Sequence, residues 1–357
     1  NCEQALYFGN SGTGLRLMLG LTSGMGLNLS FCGDASLSSR PMSRVINPLI
    51  EMGADIKSSN GKLPISLSPA SFQKRYTYEL PVASAQVKSS ILLAGLASGI
   101  GIKIIEPIQT RDHTERMLKN FGANLEITLQ DSKNVIQLSP SNNLQAKDYT
   151  VVGDISSAAF LIVAALISNS SGLEITNVGM NPSRTGVLAA LKKMGANIEV
   201  KNQRLESGEP CADLEVKRST LRGVELSGEI IPNIIDEIPI LSIAAAFADG
   251  ETLIRDAAEL RVKESDRLKA ISDGFGSLGI IHKNFEDGMS IIGNPNTLSI
   301  KQPTFLESHD DHRIAMSFLI AGLKCSKPIT VKDCNNIFTS FPNFIELISS
   351  IGYKLEK

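Results

Sequence analysis

The chain has 357 residues, 42% of them hydrophobic, with 35 Lys and Arg against 37 Asp and Glu for a formal net charge of −2. At roughly 150 residues per domain, that length predicts two domains with enough apolar material for buried cores. The balanced charge argues against nucleic-acid binding, and the longest apolar run, near residues 158–167, is too short to span a bilayer. No signal peptide opens the sequence. The five cysteines (Cys2, Cys32, Cys211, Cys325, Cys334) are odd in number and lack CxxC spacing, so they read as reduced thiols of a cytosolic protein. The chain opens Asn1-Cys2-Glu3 without an initiator Met, which leads us to expect a trimmed N-terminus.

Taken in order, the chain repeats itself. Polar heads at 10–14, 83–86, 153–157, 236–239 and 308–313 each precede an Ala-, Leu- and Ile-rich helical pattern, at 15–21, 87–96, 158–167, 240–248 and 314–323. Strand-like segments lie at 27–32, 102–106, 173–176, 252–254 and 329–331. Further on in each unit comes a glycine at the end of a helical pattern and before a strand pattern: Gly53, Gly122, Gly195, Gly279 and Gly352. Their spacing of roughly 70–85 residues is long for a solenoid and fits a repeated α/β subdomain. The break between halves falls near 147–153. Helix N-termini carry about +0.5 charge and unpaired N–H groups, so several converging would form a polyanion site. Five capped core helices with no further role is the alternative, and both readings stay open.

Several stretches could carry chemistry. If 260–268 is helical, Leu260, Glu264 and Leu268 share one stripe, and Lys263 and Arg267 stand four apart; a solvated helix face with ordinary ion pairs is the bland alternative. Residues 9–16, Gly-Asn-Ser-Gly-Thr-Gly-Leu-Arg, form a Gly-rich entry to a helix that is neither a P-loop nor a dinucleotide fingerprint. Arg40 and Arg44 stand four apart, with Pro41 suited to a first helical turn, and could bind phosphate or carboxylate. Ser84 and Gln86 open a helix, where Ser84 could simply be its N-cap. Asp112 and Glu115 read as a capping box with flanking cations. His309, Asp310, Asp311 and His312 lack a convincing further ligand cluster, so a metal site is rejected. No Ser-His-Asp triad or nucleophilic cysteine is indicated.

Together these stretches resemble the 5-enolpyruvylshikimate-3-phosphate synthase (3-phosphoshikimate 1-carboxyvinyltransferase) family, in its bacterial branch. The resemblance runs from Gly9 to the C-terminus. It rests on GNSGTGLR (9–16), SSRPMSRV (38–45), ASAQVKS (83–89), EPIQTRDHTE (106–115), NPSRTG (181–186), IDEIP (235–239), LRVKESDRL (260–268) and DDHRIAMSF (310–318). It implies an α/β, two-lobed enolpyruvyl transferase fold of repeated βαβαββ units, with lobes at 1–152 and 153–357 and one unit incomplete. The family's parallel helices aim their N-termini at the cleft between lobes. The implied reaction transfers the enolpyruvyl group of phosphoenolpyruvate to the 5-hydroxyl of shikimate 3-phosphate, with release of phosphate and no metal or organic cofactor.

Carried over residue by residue, phosphoenolpyruvate contacts fall on Gly12, Arg40, Gln86, Arg267 and Arg313. Shikimate 3-phosphate contacts fall on Ser84, Gln86, Arg111, Asp236 and Lys263. Asp236 is the implied acceptor of the hydroxyl proton, and Glu264, with Lys263 nearby, handles the proton at the methylene carbon. Gly12 in place of Ala implies room for glyphosate beside phosphoenolpyruvate. The implied protein is a cytoplasmic monomer with small-molecule partners, no nucleic acid and no membrane. The family's upstream Gly-Asp-Lys-Ser-x-x-His-Arg-like segment, which touches both substrates, has no counterpart here, so the chain as given is expected to bind weakly or not turn over. The rivals are the sister transferase acting on UDP-N-acetylglucosamine, a non-catalytic anion-binding fragment and a structural repeat protein. The sister enzyme's reactive Cys is missing from the loop at 38–41.

Overall fold

A computed structural model of the chain describes residues 5–141, 143–169 and 172–355. The chain divides into two compact units, Asn1–Tyr149 and Thr150–Lys357. Cys32, Cys211, Cys325 and Cys334 are free thiols; Cys2 lies outside the described residues.

The first unit holds two copies of one motif. The first copy runs β1 (Leu6–Tyr7), α1 (Gly12–Gly24), β2 (Leu29–Cys32), α2 (Ala35–Ser39), α3 (Ser43–Met52), β3 (Asp55–Ser59) and β4 (Lys62–Ser68). The second runs β5 (Arg75–Glu79), α4 (Ala85–Ser98), β6 (Gly101–Glu106), α5 (His113–Asn120), β7 (Leu125–Gln130) and β8 (Lys133–Leu138). The sheet orders are β1-β2-β4-β3 and β5-β6-β8-β7. In each, the helical crossover makes the first two strands parallel, while the last two form an antiparallel hairpin. Strand β4 alternates, turning Leu63, Ile65 and Leu67 inward. Helix α3 buries Val45, Ile46, Leu49 and Met52 at helical spacing.

Helices α1 and α4 lie side by side and run parallel. Gln86 meets Thr13 and Arg16 at one end, and Gly20 and Gly24 meet Ser90 and Ala94 farther along. A Cβ on Gly20 would sit 2.2 Å from the Ser90 carbonyl oxygen, so the close approach depends on glycine. The two helices therefore present their N-termini together.

The second unit repeats the motif. Its first copy contains α6 (Ile155–Ile167), β9 (Leu173–Gly179), α7 (Gly186–Lys193), β10 (Asn197–Glu206) and β11 (Glu209–Lys217). Its opening strand is reduced to a parallel bridge between Gly153 and Val178. The next copy is complete: β12 (Glu225–Leu226), α8 (Ile231–Ile234), α9 (Ile238–Ala246), β13 (Gly250–Ile254), α10 (Arg267–Leu278), β14 (Ile281–Phe285) and β15 (Gly288–Gly293), in sheet order β12-β13-β15-β14. The last copy has β16 (Thr304–Glu307), α11 (His312–Gly322), β17 (Ile329–Lys332), α12 (Asn335–Ser340) and α13 (Phe344–Ser350), with no closing hairpin among the described residues. Helix α6 is buried at every residue but Ser157, and α9 at every residue, as their all-round apolar sequences demand. All five repeat-ending glycines adopt positive φ, from 72° at Gly279 to 118° at Gly53, the left-handed stop that a Cβ disfavours.

Three local expectations fail for identifiable reasons. Residues 260–268 are not one helix: a 3-10 turn spans Ala258–Val262, and α10 starts afresh at Arg267. Asp266 accepts from Lys269 N as the N-cap of α10, while Arg261 donates to Asp266 and to the Phe285 and Glu286 carbonyls, holding the preceding segment aside. Pro41 lies between helices, because Arg40 before it takes the extended ψ of 141° that ends α2. Asp112 and Glu115 do not form a capping box. The Asp112 carboxylate accepts from Arg116 Nε at 2.9 Å, and Glu115 turns inward to Lys88.

Candidate active site

Most of the residues singled out by sequence fall into one group in each unit. In the first unit, the N-terminus of α1 is capped by Ser11, whose Oγ accepts from Gly14 N. Gly12, the next residue, is buried. Arg16, one turn on, donates from Nη1 to Gln86 Oε1 at 2.7 Å and from Nη2 to the Pro41 carbonyl. The Gln86 amide nitrogen donates to Thr13 Oγ1 at 2.6 Å, which fixes that side chain between two helix starts. Arg40 reaches the same place, since a Cβ built on Gly12 would lie 3.0 Å from Arg16 Nη1 and 3.6 Å from Arg40 Nη1. Burial, then the charges of Arg40 and Arg44, hold the Arg16 pKa below its ordinary value. Three arginines near one another, next to two parallel helix N-termini, favour an anion. Ser84 caps α4, its Oγ accepting from Val87 N at 3.4 Å. Arg111 is half-buried in the turn before α5.

In the second unit the starts of α6, α9 and α11 meet through side chains. Ser156 on α6 donates to Glu237 at the start of α9. Arg313 on α11 donates to the Asp236 carbonyl at 2.9 Å and to Glu237 Oε1 at 3.3 Å. Arg184, before α7, donates to Asp154 Oδ1 at 2.8 Å and to Ser156 Oγ. Asp311 caps α11 by accepting from Arg313 N and Ile314 N, and also accepts from Ser265 Oγ and from Arg267 Nε at 2.8 Å.

Arg267 is the centre of this group. Only 1% of its side chain is exposed; Nη2 donates to Glu264 at 2.6 Å, and Nη1 stands 3.5 Å from Asp236 Oδ1. Nη1 makes no hydrogen bond, so a buried donor remains for a ligand. Burial opposes its charge, yet Asp311, Glu264 and Asp236 together raise its pKa. Burial likewise opposes ionisation of Asp311, and Arg267 reverses that and holds its pKa below the usual carboxylate range. Lys263 Nζ lies 3.5 Å from Asp236 and 2.7 Å from Glu259. Burial followed by the Arg313 charge lowers the His312 pKa below its ordinary value.

The structure thus brings Asp236, Lys263, Glu264, Arg267 and Arg313 into one cluster, and Gly12, Arg40 and Gln86 into another. Sequence reasoning missed Arg16, Arg184, Glu237 and Asp311 as members. For all four the signal was present, since each sits inside a stretch already singled out. Among the described residues, no group of three or more His, Cys, Asp or Glu is placed to hold a metal ion. Among the described residues, no helix is long and apolar enough to cross a membrane.

Comparison with known proteins gives a consistent picture. The family model described as EPSP synthase (3-phosphoshikimate 1-carboxyvinyltransferase) matches residues 1–348. The 3-phosphoshikimate 1-carboxyvinyltransferase of Pseudomonas sp. strain PG2982 is 48% identical over 356 residues, covering 99% of this chain and 79% of its own. That of Vesicomyosocius okutanii is 47% identical over 350 residues, covering 98% and 79%. The crystallised EPSP synthase of Acinetobacter baumannii superposes with a TM-score of 0.88 at 44% identity, over 99% of this chain and 80% of that one. The enolpyruvyl transferase NikO of Streptomyces tendae shares the fold, with a TM-score of 0.73 at 15% identity over 99% of this chain and 95% of that one.

Proposed function

The chain belongs to the EPSP synthase family, and from that premise we propose a residue-level account of how it transfers the enolpyruvyl group of phosphoenolpyruvate to the 5-hydroxyl of shikimate 3-phosphate, releasing phosphate. Phosphoenolpyruvate is assigned to Gly12, Arg40, Gln86, Arg267 and Arg313. Shikimate 3-phosphate is assigned to Ser84, Gln86, Arg111, Asp236 and Lys263. Both substrates are polyanions, and the cations and helix starts of both groups suit them. The observation that carries the assignment is the buried Arg267, which keeps one donor without a hydrogen bond beside Asp236 and Glu264.

The steps follow from these placements. The substrate hydroxyl oxygen bonds to the carbon of phosphoenolpyruvate that bears its phosphate, and the hydroxyl proton passes to Asp236. Glu264 delivers a proton to the methylene carbon. It then takes a proton back from that carbon as phosphate leaves, which restores the double bond, and the proton held by Asp236 departs with the phosphate. Lys263, ion-paired with Asp236, steadies the base, and each acid or base contributes about 10²–10⁴-fold when well placed. Arg267 and Arg313 stabilise charge already anchored in the protein, without reorganising during the reaction. The protein works as a cytoplasmic monomer in aromatic amino acid biosynthesis; sedimentation tests the oligomeric part.

The direct experiment is phosphate release from phosphoenolpyruvate and shikimate 3-phosphate. Release that needs both substrates, and that disappears in Asp236→Asn and Glu264→Gln, supports the account. Full activity in either variant removes its proton-transfer role.

A further inference from the structure

None of the roles above uses the buried ion cluster of the first unit. Lys88, one turn past Ser84 on α4, lies 3.0 Å from Glu106 Oε1 at the end of β6 and 2.7 Å from Glu115 Oε1 on α5. All three side chains are at most 2% exposed. Glu106 Oε1 also accepts from Thr110, from its N at 2.9 Å and its Oγ1 at 2.5 Å. On the other side of Arg111, Thr114 Oγ1 and Ser89 Oγ share a hydrogen bond of 2.7 Å. Arg111 is therefore bracketed by two anchors: Thr110 through Glu106 to Lys88, and Thr114 with Glu115 to Ser89 and Lys88. Both anchors end in the opening turns of the helix that Ser84 caps.

Apolar residues of similar volume often fill such a space with equal or better stability. What ions supply and apolar side chains do not is direction, because each hydrogen bond fixes an angle as well as a distance. We propose that Lys88 is a positioning residue: by clamping Glu106 and Glu115 it fixes the Arg111 turn against the start of α4, so that Arg111 and Ser84 address one substrate phosphate. This rests on the assignment of Arg111 and Ser84 to shikimate 3-phosphate. Glu115 Oε2 makes no hydrogen bond, which marks Glu106, with both Lys88 and Thr110 as partners, as the arm that transmits the constraint.

The test is direct binding of shikimate 3-phosphate by calorimetry, with KM for each substrate measured in parallel. Thr110→Val is expected to weaken shikimate 3-phosphate binding about tenfold, with the phosphoenolpyruvate KM unchanged and a modest fall in Tm; Glu106→Ala weakens it about thirtyfold. In an Arg111→Ala background, Thr110→Val has no further effect, because the coupling runs through the missing side chain. A purely structural role instead gives equal losses in both backgrounds and overturns the inference. If Thr110→Val binds normally while Arg111→Ala does not, positioning is wrong and the phosphate assignment stands. If Arg111→Ala binds normally, both fall together. Should Glu106→Ala fail to fold, Thr110→Val still decides.

Discussion

Among the described residues, each unit buries one cation almost completely, and the two are used differently. Lys88 is closed: its ammonium sits between Glu106 and Glu115, shielded from solvent. Arg267 is open: Asp311 and Glu264 take Nε and Nη2, and Nη1 is left without a hydrogen bond. The acids beside them respond in opposite directions. Burial pushes the Glu115 pKa up, and the charge of Lys88 only partly offsets it. Burial pushes Asp311 the same way, but the guanidinium and the helix-start N–H groups win and hold it down. One ammonium shared by two acids leaves negative charge in excess. A planar guanidinium with five donors satisfies several acids and keeps a donor in reserve.

Arg267→Ala is the harshest way to break the comparison. It strands Asp311, which has no solvent exposure, and costs about 3–5 kcal/mol of stability. Titrations should also show phosphoenolpyruvate affinity falling about a hundredfold, and more than shikimate 3-phosphate affinity. Equal losses for the two ligands would reject the assignment. Lys88→Met should cost a similar amount of stability in urea unfolding near neutral pH, without the preferential loss of phosphoenolpyruvate.

A smaller effect separates the two acids by pH. The native pKa of Glu115 lies above its ordinary 4.5. Its contribution is therefore present below that value and is lost as the pH rises through the native pKa. The native pKa of Asp311 lies below its ordinary 3.8, so its contribution is present above 3.8 and is lost as the pH falls through the native value. Unfolding followed across acid pH should therefore change slope in opposite senses in Glu115→Gln and Asp311→Asn. Parallel changes would collapse the distinction. The mildest probe is Gly12→Ala. The added Cβ meets the end of the Arg16 side chain at 3.0 Å, so stability should fall modestly, by about 1 kcal/mol. The KM for phosphoenolpyruvate should rise, and an unchanged KM would place Gly12 outside that contact.

Local signals served well where a few neighbouring residues decide the structure. Ser11, Ser84, Asp154 and Asp311 cap the helices whose starts the sequence marked. The 260–268 stretch shows the limit. Its spacing permitted one continuous helix, yet Asp266 and Arg261 bond to partners that make a break more favourable. Spacing alone does not reveal a competing cap or a long-range carbonyl.

The sequence by itself determined the repeat, the helix stops at five glycines and the family-specific stretches, because each depends on backbone preferences or residue order within a short window. Tertiary structure alone decided which charges meet. Arg267 finds Asp311 across 44 positions, Arg16 finds Gln86 across 70, and Lys88 finds Glu106 across 18. A buried charge is tolerable only beside its partner, and which partner stands there is settled by how helices pack, as where Gly20 lets α1 close on α4.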